Sequence, residues 1–355
     1  MVFTTPAVRA LRQRFPDSHI SYVVEPAAAP IVADNPNIDE VIVAPRGRGV
    51  SGLLADAALL RRLRRTPYDL AIDFHGGPRA SLLTWLSGAP VRVGYDVAGR
   101  GWMYTRRVAR PRGLRARHSV LNQWDLLAPF DVAPPDPGTM PVEMRVDAEA
   151  AVSVDHRLTR AGAGPGDRLI VLHVSAGNPF RRWPIASFAA VAAELAGSDG
   201  RHRVVVTSGP SESDAAARVI AEARARLSDA DRGRVLTCGE FSLAELRALV
   251  DRAALYIGGD SGPLHVAATT QVPIVGLYGP TLPARSAPWR SPVALSESVE
   301  TSGLPCRPCD QRSCEPGDFR CLTRIQPQHV IDAAHRMLDS QGSRGSQGST
   351  DCKMS

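Results

Sequence analysis

Short unbroken runs of Val, Ile and Leu recur along the chain, separated by stretches whose apolar residues return at helical spacing. In the first part the runs are ISYVV (Ile20–Val24), VIVA (Val41–Ala44), LAIDF (Leu70–Phe74) and VRVGY (Val91–Tyr95). In the second they are LIVLHVS (Leu169–Ser175), RVVVTSG (Arg203–Gly209), VLTCG (Val235–Gly239), LYIGGD (Leu255–Asp260) and PIVGLYG (Pro273–Gly279). A strand covered by helices on both faces reads as a continuous apolar run, so the pattern predicts parallel sheets of the α/β class. At the start, Thr4-Thr5-Pro6 reads as a turn into a helix, with Ala7, Val8, Leu11 and Phe15 on its buried face. An α/β unit normally places a strand before its first helix, and here almost nothing precedes it. A later helix start is marked by Ser242-Leu243-Ala244-Glu245, a capping box.

The two sets of runs are parted by a Pro- and Asp-rich stretch, Ala128–Met144, and a Gly-rich one, Ala161–Arg168. They predict a domain over residues 1–155 and another over 165–338, each doubly wound and facing a common cleft. Such folds bind ligands outside the carboxyl ends of their strands. Residues 339–355, rich in Gly, Ser and Gln, read as a disordered tail.

At 355 residues and 44% hydrophobic the chain can bury two cores, and no apolar run reaches membrane-spanning length. No signal-peptide pattern opens it, so the expected location is the cytoplasm or the inner face of the cytoplasmic membrane. The net charge is +6, yet of the 42 basic residues only Lys353 is a lysine. With so much Ala, Gly and Pro, that bias reflects GC-rich coding, and a single Arg is weak evidence of function. Aromatics are 5% and no stacking motif or zinc-finger spacing is present, which argues against a nucleic-acid partner.

Candidate chemistry gathers in two stretches. In LYIGGDSGPLHVAATT a strand ends at Gly258-Gly259, Asp260-Ser261-Gly262-Pro263 turns, and a helix begins. The helix start offers unpaired N–H groups, the glycines permit close backbone approach, and Ser261 and His265 add donors, so a diphosphate suits the turn. A plain helix cap by Asp260 or Ser261 suits the same residues. In LHVSAGNPFRRWP a strand runs into a loop carrying Arg181, Arg182 and Trp183. The arginines fit a leaving diphosphate or, equally, a solvated pair beside a packing Trp.

Together GNPFRRWP and GGDSGPLHVAA resemble the ADP-heptose:lipopolysaccharide heptosyltransferases, glycosyltransferase family 9. TTPAVRALRQRFP, LAIDFHGGPRASLLTWLSGAPVRVGYD, LYGPT and the cysteine cluster are similar too, so the likeness spans the chain except its tail. The resemblance implies a GT-B fold of two Rossmann-like domains. It implies an inverting, metal-independent transfer of heptose, without cofactor, from ADP-heptose to a lipopolysaccharide-core or similar anionic glycan or glycolipid acceptor. It also gives roles: Gly259, Asp260, Ser261, Gly262 and His265 to the sugar nucleotide; Arg181, where the family usually has Lys, to its phosphate and sugar; Glu212 to the ribose. The family's presumed general base is an Asp ending the first strand, just ahead of the Thr-Pro seen here at Thr5-Pro6. By that count it falls immediately before Met1. Either the true start lies upstream or this chain lacks the base; the apolar edges that a missing strand would expose favour the former.

Asp73 and His75, in AIDFHGGPR, are fallback bases, and Arg79 follows as a contact for an acceptor phosphate. Arg106 and Arg107 belong to the basic run GRGWMYTRRVARPRGLRARH, which suits an anionic acceptor at a membrane surface or a solvated loop. Cys306, Cys309, Cys314 and Cys321 have C-x2-C-x4-C-x6-C spacing; zinc, disulfides and packing thiols all remain open, and no metal role is assigned. Two other readings stand beside the main one: a family enzyme with a different donor and a non-lipopolysaccharide acceptor, or a catalytically impaired sugar-nucleotide-binding protein.

Overall fold

The computed structural model describes residues 1–44, 47, 49–110, 117–174 and 178–347, of which 341–347 by backbone alone. Two compact units divide the chain, Met1–Arg145 and Val146–Ser355.

In the first unit β1 (Ser21–Val24) pairs in parallel with β2 (Glu40–Val43). Strands β3 (Leu70–Ile72), β4 (Val91–Tyr95) and β5 (Arg106–Val108) form a second parallel sheet in that order. Among the described residues no ladder joins β1 to β3. The helix Thr5–Arg14, with Pro6 in its first turn, bridges the two sheets. Its Ala7, Ala10 and Leu11 share a core with Trp124 and Leu127 that takes in Ile20 beside β1 and Ile72 of β3. Position 94 must be glycine because the Tyr104 ring lies against it: a Cβ there would come within 2.3 Å of the ring.

The second unit holds β6 (Arg168–His173), β7 (His202–Thr207), β8 (Val235–Leu236), β9 (Leu255–Gly259), β10 (Ile274–Tyr278) and β11 (Ser296–Glu300). They form one parallel sheet, in the order β11-β10-β9-β6-β7-β8. Ile170, Leu172, Leu255 and Ile257 are fully buried in one core with residues of helices Ile185–Ser198 and Pro327–Gln347. The capping box holds: Ser242 Oγ accepts from Glu245 N at 3.2 Å and Glu245 Oε2 from Ser242 N at 2.9 Å. The strand order reverses between β6 and β9, the position at which doubly wound sheets open a ligand crevice.

The units part at Arg145, ten residues before the expected end of the first domain at 155, because the helix Ala148–Arg160 is fastened to the second unit. Arg157 donates to the Cys238 carbonyl and to Glu245, each at 3.0 Å, and Arg252 pairs with Asp155 at 2.7 Å. The final helix runs to Gln347, into the stretch 339–355 expected to be disordered. Its packed part ends at buried Leu338, whose carbonyl accepts from Arg168 at 3.1 Å. Once such a segment is nucleated, each further residue adds a hydrogen bond at little cost. Residues 348–355 lie outside the described residues. Among those described, no helix is long and apolar enough to cross a membrane.

Candidate functional site

The carboxyl ends of β6 and β9 lie side by side, with His173 in register with Gly258. Each runs into one of the two stretches singled out in the sequence. After β9 the chain turns at Asp260-Ser261 into the helix Gly262–Ala267. Beyond β6, Asn178 opens a short helical turn, Pro179–Arg181. Trp183 anchors that loop: it is buried, donates its Nε1–H to the Ile325 carbonyl at 3.1 Å and meets Phe188 edge-on. It is therefore a packing residue, and it fixes the arginines before it.

Arg181 joins the two stretches. Its Nη1 donates to the Asp260 carbonyl at 2.9 Å and lies 3.3 Å from Asp260 Oδ2, while its Nε donates to Gln311 Oε1 at 2.7 Å. Its Nη2 makes no hydrogen bond to any described residue. Asp260, only 2% exposed, is held by the Thr281 hydroxyl at 2.5 Å on Oδ2. His265 Nε2 stands 3.6 Å from the other oxygen, Oδ1.

The plain helix cap is not what these residues do. Ser261 occupies the N-cap position without a side-chain cap bond. Its buried Oγ, like the buried Oδ1 of Asp260, has no hydrogen-bond partner among the described residues. Buried polar atoms are nearly always satisfied, so an exposed-turn explanation does not cover this pair. A Cβ built on Gly262 would meet no described residue within 4 Å. Among the described residues, a Cβ on Gly259 would touch only the Arg181 carbonyl, at 3.5 Å. Glu212, after β7, is buried and accepts from Arg182 Nη2 at 2.8 Å.

Asn178, Thr281 and Gln311 join the site without having been read from the sequence. The first two sit inside motifs that carried the resemblance, GNPFRRWP and LYGPT. Gln311 gave no signal, being more than a hundred residues from Arg181 in a loop noted only for its cysteines.

The remaining candidates belong to the first unit. Asp73 is buried and accepts from the N–H groups of His75 and Gly76 at 2.9 and 2.8 Å and from the Tyr104 hydroxyl at 2.6 Å. Burial, then that bond, pushes the Tyr104 pKa far above its ordinary value. Asp73 thus ties its own turn together, and His75 is exposed beside it. Arg79 is paired with Asp56, its Nε at 3.0 Å from Oδ1. Arg106 and Arg107 are exposed on β5 with no acidic partner among the described residues. Nearby Arg117 is committed to Asp125 through both Nη groups, at 2.5 and 2.6 Å. Arg112 and Arg115 lie outside the described residues. Cys306, Cys309, Cys314 and Cys321 are half-buried free thiols, and among the described residues no group of three or more His, Cys, Asp or Glu is placed to hold a metal ion.

Known proteins share the sequence pattern and the fold. The sequence profile of glycosyltransferase family 9 (heptosyltransferase) matches residues 57–317. The chain is 26% identical over 348 residues to lipopolysaccharide heptosyltransferase 3 of Escherichia coli, covering 96% of each. Its fold is similar to that of a family 9 glycosyl transferase from Veillonella parvula DSM 2008, with a TM-score of 0.80, 25% identity, and 96% and 94% of the two chains covered. It is also similar to that of ADP-heptose lps heptosyltransferase II of E. coli, with a TM-score of 0.74, 20% identity and 96% of each chain covered. The α/β architecture is accordingly GT-B, with Rossmann-like units, as expected.

Proposed function

Since the chain belongs to glycosyltransferase family 9, we propose that it transfers heptose, or a related sugar, from ADP-heptose to a lipopolysaccharide-core or similar anionic acceptor. The observation that supports this most is the uncapped turn after β9. Ser261 Oγ and Asp260 Oδ1 are buried without a hydrogen bond to any described residue, beside a guanidinium with one nitrogen unengaged by described residues. A hydroxyl and a guanidinium N–H suit phosphate oxygens; a carboxylate oxygen accepts from sugar hydroxyls. Glu212, steadied by Arg182, is assigned to the ribose.

In an inverting displacement, the acceptor oxygen bonds to the anomeric carbon as that carbon's bond to the leaving phosphate oxygen breaks. The acceptor proton passes to a base, and negative charge grows on the diphosphate. Preorganised donors aimed at that charge lower the barrier. We assign them to Arg181, Ser261 and His265. Asp73 is not assigned as the base, because its carboxylate is spent on its own turn.

An acceptor carried in a membrane would be met through the first unit. There Trp85 and Trp102, exposed by 39% and 55%, touch edge-on at 5.2 Å, and the exposed Arg106 and Arg107 follow Trp102 in the chain. Paired aromatics with nearby arginines suit the headgroup region of an anionic leaflet at the cytoplasmic face.

Calorimetric titration with ADP-heptose, without acceptor, tests the donor site. Wild type should bind, and Asp260→Ala should bind at least about tenfold more weakly, the cost of losing a charged hydrogen-bonding group. Unchanged affinity would remove the site from this turn. A radiolabelled transfer assay with ADP-heptose then separates an enzyme from a protein that binds without turnover.

A further inference from the structure

We propose that Gln311, in the cysteine-rich loop, is a positioning residue that sets the Arg181 guanidinium for the leaving diphosphate. This rests on the donor reading above.

Gln311 Oε1 lies 2.7 Å from Arg181 Nε and 2.8 Å from Asn178 Nδ2. Both neighbours are donors, so only the amide oxygen can face them, and the orientation of the amide follows from the chemistry. Arg181 is thereby gripped at two points, Nε on Gln311 and Nη1 on the Asp260 carbonyl. Two contacts on a rigid planar fork fix its plane and leave Nη2 aimed in one direction. Without Gln311 the guanidinium is held at Nη1 alone, by Asp260, and can swing about that nitrogen.

The loop is built to deliver this oxygen. Cys309 N donates to the Pro280 carbonyl at 3.0 Å, and Arg307 Nη2 donates to the Thr281 carbonyl at 2.7 Å, so the loop is fastened next to the residue that holds Asp260. Phe319, at its far end, packs on Phe180 of the Arg181 turn at 5.5 Å. Gln311 itself sits at φ +61°, in the left-handed region, where glycine would be at ease and glutamine is strained. Its N–H is turned onto Cys309 Sγ at 3.2 Å. A residue needed only to make the turn would be Gly or Asn. A long amide kept at that angle means that its side chain matters, since strain of this kind persists where surrounding structure or function demands it.

The test compares Gln311→Gly and Gln311→Leu in the full chain, each in the wild-type and Arg181→Ala backgrounds, by thermal melting and ADP titration. Gly relieves the backbone strain, so its melting temperature should equal or exceed that of wild type. Both variants should nonetheless weaken ADP binding about tenfold, as expected for losing a hydrogen bond to a charged group. In the Arg181→Ala background neither should weaken it further, because residues acting through one another are not additive. Equal ADP affinity of Gln311→Gly and wild type would overturn the proposal. So would a loss of the same size with Arg181 already removed, which would mark a structural role. If wild type itself fails to bind ADP, the donor reading falls first and takes this proposal with it. If wild type binds and only the Gln311 variants are silent, the donor reading stands alone.

Discussion

The Asp73 carboxylate accepts from two backbone N–H groups and the Tyr104 hydroxyl, and Ser81 Oγ lies 3.3 Å from its Oδ2. Its position at the end of a strand is the one a general base would take, but its hydrogen bonds give it a different task. Removing it takes the acceptor from two part-buried N–H groups and from the buried Tyr104 hydroxyl, so Asp73→Ala should cost about 2–4 kcal/mol of stability in urea unfolding. ADP affinity, which we assign to the other unit, should stay unchanged. A variant as stable as wild type that fails only in turnover would return Asp73 to the chemistry. The sequence could not distinguish these roles because Tyr104 and Ser81 approach from other elements. Asp260, Ser261 and His265 were legible for the opposite reason: they share one turn, and a local motif carries its own geometry. Gln311 reaches Arg181 across a long chain separation, and no local pattern encodes that contact.

β6 carries His173 at its buried end, where Nδ1 is 2.9 Å from Thr207 Oγ1 of the neighbouring strand. Burial pulls its pKa down from 6.5 to about 4. Between those values the unfolded chain holds the extra proton, so stability rises with pH and is lost as pH falls from 6.5 towards 4. The loss approaches about 3 kcal/mol at the bottom of that window. Urea midpoints between pH 7 and 5 should therefore drop less in His173→Gln than in wild type; equal slopes would place the effect elsewhere. The strand itself was plain in the sequence, as were β7, β9 and β10, because burial on both faces demands unbroken apolar runs. β5 (RRV) and β11 (SESVE) were not. Both are edge strands, each paired on one side only, and their charged residues fit an edge that must not invite further pairing. Composition alone does not show that a packed helix leads into the tail as far as Gln347.

With a net charge of +6, the whole chain is drawn toward anionic surfaces, but diffuse charge does not choose a face. We assign that choice to the Trp85–Trp102 pair, joined by Leu82, which is exposed one helical turn before Trp85. Large apolar side chains left in water are costly unless something covers them, and the exposed Arg106 and Arg107 nearby in sequence favour a negatively charged cover. Two contributions should then be separable. Sedimentation with phosphatidylglycerol-containing vesicles should exceed that with phosphatidylcholine alone and should fall as salt rises, because arginine attraction is screened within about 10 Å at 0.1 M salt. Trp102→Ser should weaken binding roughly tenfold or more at every salt concentration, in line with about 1.5–3 kcal/mol for withdrawing one large apolar side chain. Arg107→Gln should instead flatten the salt dependence. If Trp102→Ser binds like wild type, the attraction is diffuse charge alone and the aromatic pair has another purpose. If neither lipid binds, the acceptor must reach the enzyme without docking of this face.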